Sequence, residues 1–150
     1  MCQELLRGVS AAVDAALAML KNFRSRLLQQ RSEHLSPLRL SVLGCSMGGY
    51  AALEYCRFRP RHVSSAAIIA GYYDPREQDN LVEVTGHIPF LVVHFRGDTV
   101  CPIKPIEHLI ERRKRSAHAV TQSRVLPGSG HCPEEAERQK ALDWLLEHSR

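Results

Sequence analysis

The order in which apolar runs alternate constrains the fold of this chain more than any other feature. "IPFLVVHFRG" (Ile88–Gly97) is nearly continuous in apolar residues, as a strand covered on both faces must be. "HVSSAAIIAG" (His62–Gly71), rich in β-branched and small residues, reads as a strand before it. "LRLSVLG" (Leu38–Gly44) reads as the first strand and "AVTQSRVLPG" (Ala119–Gly128) as a weaker fourth. Helical stretches alternate with these runs. From about Glu4 to Gln30, Leu5, Val9, Val13, Leu17, Leu20, Phe23 and Leu27 form one apolar stripe. An alanine-rich helix is expected from Gly48 to about Phe58, and another from Pro105 with Ile106, Leu109 and Ile110 on one side. A last helix, Pro133 to His148, is expected to bury Ala136, Ala141, Trp144 and Leu145. The stretch Tyr72 to His87 reads as polar and irregular. Strands separated by helices imply an α/β fold, a parallel sheet of about four strands with helices on both faces. With 150 residues and neither repeat nor linker, residues 1–150 read as a single domain.

Composition excludes several function classes. The net charge of +4 is mild, and the only basic run is "RRKR" at Arg112–Arg115. It reads as the solvated last turn of a helix, where cations suit the dipole, so no nucleic-acid partner is expected. No stretch has the ~18 apolar residues of a membrane span, and no signal peptide frames the first helix. A soluble, cytoplasmic protein is the expectation. Cys2, Cys45, Cys56, Cys101 and Cys132 contain no metal-like spacing. They read as free, mostly buried thiols in a reducing compartment, with a regulatory thiol at Cys101 or Cys132 the minority alternative. No metal and no cofactor is expected.

The chemistry concentrates at three strand ends. "GCSMG" (Gly44–Gly48) fits the pattern G-x-S-x-G, in which glycines let a serine sit on a sharp strand-to-helix turn. Three fixed positions recur by chance in about 5% of chains this long, so the context matters: a strand before and a helix after. The helix aims its N-terminal amides at the serine, and the Met47 N–H is the candidate oxyanion donor. Ser46 needs a histidine base, and the base an orienting carboxylate. Asp98, just past the third strand, and His131, in the glycine-rich loop after the fourth, lie where parallel sheets gather ligand sites. Asp74 is the reserve acid. His94, inside a strand, reads as a satisfied core histidine, and His62, His108, His118 and His148 as solvated. Tyr72 and Tyr73 are candidates to line the cleft or, equally, to close the sheet edge.

These motifs carry a resemblance. "LSVLGCSMGGYAAL", "IPFLVVHFRGDTVCPI" and "VLPGSGH", in that order, resemble the nucleophile elbow, acid loop and histidine loop of the α/β-hydrolase superfamily. The carboxylesterase, dienelactone-hydrolase and prolyl-oligopeptidase-like branches are the most similar, over their C-terminal part and from about Ala11 of this chain. The resemblance implies a serine hydrolase with Ser46 as nucleophile, His131 as base and Asp98 as acid, acting on a small ester or thioester. Peptidase or acyltransferase chemistry on the same residues is the sibling alternative. The family has about four strands and two helices before its elbow strand, where one helix is expected here. The loop that donates the second oxyanion N–H is therefore expected to be absent, and the elbow strand to be an open edge that invites a second copy or a partner chain. Three accounts follow: a fragment, which is favoured; a chain completed by a partner or by its own dimer; or a reduced hydrolase. A non-enzymatic interaction module with the same fold is the rival from another class.

Overall fold

The computed structural model describes residue 18, residues 39–116 and residues 118–149. The helix expected over Glu4 to Gln30 lies, apart from Ala18, outside the described residues. Four strands, β1 (Leu40–Cys45), β2 (Val63–Ile69), β3 (Phe90–Phe95) and β4 (Thr121–Leu126), form one sheet in the order β1-β2-β3-β4. Every neighbouring pair is parallel. The connections carry helices α1 (Met47–Phe58), α2 (Leu81–Val84) and α3 (Ile103–Ser116), with a 3₁₀ turn at Pro60–His62, and α4 (Glu135–Glu147) follows β4.

Burial follows position in the sheet. Every residue of β2 is buried, as are the first five of β3, which explains their unbroken apolar spelling. One face of the sheet, through Ala67, Ile69, Leu91 and Val93, forms a core with Ala141, Trp144 and Leu145 of α4. The other face carries Phe90, whose ring lies 3.7 Å from the Arg113 guanidinium of α3. Among the described residues β1 and β4 pair on one side only, and both are partly exposed.

Three readings of the sequence need correction. Tyr72–His87 is not simply irregular: α2 interrupts it, and Tyr73, Gln78, Leu81, Val82 and Thr85 are buried. Buried Gln78 bridges the Glu54 carboxylate of α1 (2.7 Å) and the backbone N–H of Asp74 (3.0 Å), which fixes the connection to the helix. Arg113, expected in a solvated helix turn, is wholly buried. Its guanidinium donates to the Thr85 hydroxyl (2.6 Å) and carbonyl (3.3 Å), the Ile88 carbonyl (2.7 Å) and the Thr121 hydroxyl (3.3 Å). Burial lowers its pKa to about 10, so it stays charged at neutral pH and is compensated by these oxygens. Ala136, expected in the core, faces solvent in the first turn of α4. Among the described residues no helix is long and apolar enough to cross a membrane.

Candidate active site

Because all four strands are parallel, β1, β2, β3 and β4 end on the same side of the sheet. Ser46 follows β1 directly, Asp98 lies three residues past β3, and His131 lies five past β4. The turn at Ser46 is strained: φ is 55° and ψ −120°. Ser46 and Ala70, each just beyond a strand end, are the non-glycine residues with positive φ among those described. Ser46 is held there by its own backbone. Its N–H donates to the Ile69 carbonyl (2.9 Å), and its carbonyl accepts from Tyr50 N–H (3.1 Å) in the first turn of α1.

The glycines of the turn divide their duties unexpectedly. A Cβ on Gly44 would fall into the Gly48 backbone, so the chain can turn back on itself only there. Gly48, the second glycine of the G-x-S-x-G pattern, has no described atom within 4 Å of its missing Cβ. The second steric requirement lies one residue on: a Cβ on Gly49 would meet the Gly71 Cα at 2.8 Å. Gly49 thus lets α1 start against the end of β2.

The three side chains expected to act together do meet. His131 Nε2 is 2.7 Å from Ser46 Oγ, and His131 Nδ1 is 2.7 Å from Asp98 Oδ2. Asp98 is buried, with its other oxygen accepting the N–H groups of Val100 (2.8 Å) and Cys101 (2.9 Å). Burial pushes the carboxyl pKa up, but the bonds from His131, Cys101 and Val100 outweigh it and hold the group below its ordinary value. An ionised carboxylate that accepts from Nδ1 fixes the imidazole with an Nδ1–H, which leaves Nε2 as the acceptor for the serine proton. Met47 opens α1, and its N–H, like those of Gly48 and Gly49, has no acceptor within the helix. The Met47 side chain is exposed.

Other expectations are revised. Tyr73 does not line a cleft: it is fully buried, and its hydroxyl accepts from Arg112 (3.1 Å). Tyr72 is the exposed member of the pair, its ring 6.2 Å from that of Tyr50. The reserve acid Asp74 caps its own turn, accepting from Arg76 N–H at 2.8 Å, while the partner of His131 is Asp98. His148 is half-buried and stacks on Trp144 at 4.1 Å.

Two features escaped the sequence reading. His94 is buried behind the acid loop. Its Nε2 lies 2.7 Å from the Cys101 carbonyl and 3.5 Å from Asp98 Oδ2, while its Nδ1 has no hydrogen-bond partner among the described residues. It therefore braces the loop that holds Asp98, where a satisfied core histidine was expected. Its four-residue spacing from Asp98 was the available signal. The second feature is a disulfide, Cys45–Cys132, where free thiols were expected. Cys45 precedes Ser46 and Cys132 follows His131, so the fold that brings Ser46 and His131 together also pairs the cysteines. Cys56 and Cys101 remain buried free thiols. Burial, and secondarily the Asp98 charge, raises the Cys101 pKa, which makes it a poor reactive thiol. Among the described residues no three His, Cys, Asp or Glu side chains are grouped to hold a metal ion.

The esterase family model, described as "Putative esterase", matches residues 23–150. None of the curated proteins compared with the chain matches it. Solved structures do. A thermostable esterase is 25% identical, with a TM-score of 0.63 over 91% of this chain and 37% of its own. Arabidopsis thaliana SOBER1 is 18% identical, with a TM-score of 0.68 over 99% of this chain and 65% of its own. Zea mays acyl-protein thioesterase 2 is 20% identical, with a TM-score of 0.60 over 94% of this chain and 66% of its own. The chain thus spans less than two thirds of the length of each.

Proposed function

This chain belongs to the esterase family of the α/β-hydrolase superfamily, and on that premise we propose that it is a serine hydrolase of carboxylic esters or thioesters. One observation carries the reading: His131 lies 2.7 Å from both the Ser46 hydroxyl and the Asp98 carboxylate, at the carboxyl end of a parallel sheet. Ser46 Oγ attacks the acyl carbon while His131 Nε2 takes its proton. Asp98 holds the imidazolium that forms. The Met47 N–H, at the positive end of α1, donates to the oxyanion. The tetrahedral intermediate collapses, and His131 protonates the departing alcohol or thiol. Water, deprotonated by His131, then releases the acid from Ser46. Exposed Tyr72, close beyond the end of β2, flanks the substrate in this reading. The thermostable esterase and the acyl-protein thioesterase among the similar structures support esters and thioesters as the substrate class, ahead of peptides.

The test is covalent labelling with a fluorophosphonate. Label located on Ser46 by peptide mass, absent in Ser46→Ala and much slowed in His131→Ala, is the expected result. A well-folded chain that takes no label would overturn the reading and favour the non-enzymatic module.

A further inference from the structure

The disulfide joins the residue before the proposed nucleophile to the residue after the proposed base. Cys45 closes β1 and is in register with Ile69, whose carbonyl also anchors the Ser46 N–H. Cys132 sits beyond β4, exposed, at the far end of a glycine-rich loop. Their Cα atoms are 6.6 Å apart, within the range a disulfide spans. Among the described residues, three further fastenings hold the loop. Gly97 N–H donates to the Gly128 carbonyl (2.8 Å), Gly130 lies against the Phe95 ring, and His131 makes its two side-chain bonds.

We propose that Cys45 and Cys132 form a thiol-oxidation site whose closed state latches His131 onto Ser46. The proposal rests on the hydrolase reading and adds its regulation. The oxidant is a low-molecular-weight disulfide, RSSR. The exposed Cys132 thiolate attacks one sulfur of RSSR, forming Cys132–S–S–R and expelling RS⁻, which takes up the proton Cys132 gave up. The Cys45 thiolate attacks Cys132 Sγ, forms the intramolecular bond and expels a second RS⁻, protonated likewise. Two protein thiols are oxidised and one RSSR is reduced to two RSH. A dithiol reverses the sequence, entering at exposed Cys132. Cys56 and Cys101 do not compete, because both are buried. With the bridge closed, His131 cannot drift far from Ser46, since each is covalently adjacent to a bridged residue. With it open, the loop keeps, among the described residues, the contacts named above, and the distance between base and nucleophile widens on average.

The experiment treats the full chain with oxidised glutathione or with a dithiol and maps the cysteines by peptide mass without reduction. It then measures the rate of fluorophosphonate labelling at Ser46 and the hydrogen exchange of the amides from Gly128 to His131. The bridged chain should label roughly 10-fold faster than the reduced one, within the ~10²-fold that a 1 Å misplacement costs. Its loop amides should exchange more slowly. Cys132→Ser should match the reduced chain in both conditions, and Cys45→Ser should do the same. A chain that forms no bridge under oxidised glutathione overturns the proposal. So does a bridge, verified by mass, that leaves both rate and exchange unchanged. Absence of label in every state, with exchange still following the bridge, removes the hydrolase reading and leaves the latch standing on the loop.

Discussion

The turn that carries Ser46 and the loop that carries His131 meet at one hydrogen bond and one disulfide but are built in opposite ways. The turn is fixed by backbone. Gly44 is pressed on the Gly48 carbonyl, Gly49 on Gly71, and the Ser46 N–H is bonded to β2, the most buried strand. Its strained φ of 55° persists because these neighbours leave no alternative. The histidine loop extends instead from β4, a partly exposed strand, and is held by side-chain bonds, the Gly97–Gly128 backbone bond and the Cys45–Cys132 disulfide. In the proposed mechanism the nucleophile must be aimed before the substrate arrives, whereas the base must move its proton between partners. The rigid element serves the first need and the tethered loop the second.

That contrast can be broken at several strengths. Removing the loop's anchor should cost most. His131→Ala should slow Ser46 labelling by at least about 10³-fold while the urea midpoint changes little, since the imidazole is partly exposed. Damage to the turn should show the reverse pattern, in stability first. Gly49→Ala forces a Cβ onto Gly71 and should destabilise by about 1–3 kcal/mol, read by urea unfolding.

Acid should separate the two regions without mutation. The native carboxyl of Asp98 titrates below its ordinary value of 3.8, so its contribution to stability is full above about pH 4 and is lost as pH falls through the lower native value. Hydrogen exchange at Gly128–His131 should accelerate over that acid range before exchange around Ser46 does, and Asp98→Asn should remove the pH dependence. The smallest effect should come from Gly48→Ala. Its Cβ meets nothing described, and alanine suits a helix better than glycine by up to about 1 kcal/mol, so the urea midpoint should hold or rise slightly.

What could be read in the sequence follows the same division. The buried strands β2 and β3 spell their own environment, and the Ser, Asp and His positions follow once strand ends are known to share one side. The disulfide could not be read, because Cys45 and Cys132 are 87 residues apart and become neighbours only through three strand crossovers. Arg113 was misread because a charge at the end of a helix usually meets water, and only the fold brings Thr85, Ile88 and Thr121 around it. Tyr73 and Gln78 are polar in spelling but paired in place, which local pattern does not reveal. Gly48 matched the expected motif without a steric need, while Gly49, outside the motif, has one.

Arg113 has a further consequence for how this molecule tolerates change. It fastens Thr85 and Ile88, which lead into β3, and Thr121, which opens β4, at the amino ends of the two strands whose carboxyl ends lead to Asp98 and His131. On the proposed function, β3 and β4 therefore have a structural pole and a reactive pole, about six residues apart. Variation confined to the reactive pole can retune chemistry without loosening the anchor, and repairs at the anchor can restore stability without touching the chemistry. A laboratory search for altered substrate preference would do well to hold Arg113 and its partners fixed and randomise only the opposite rim.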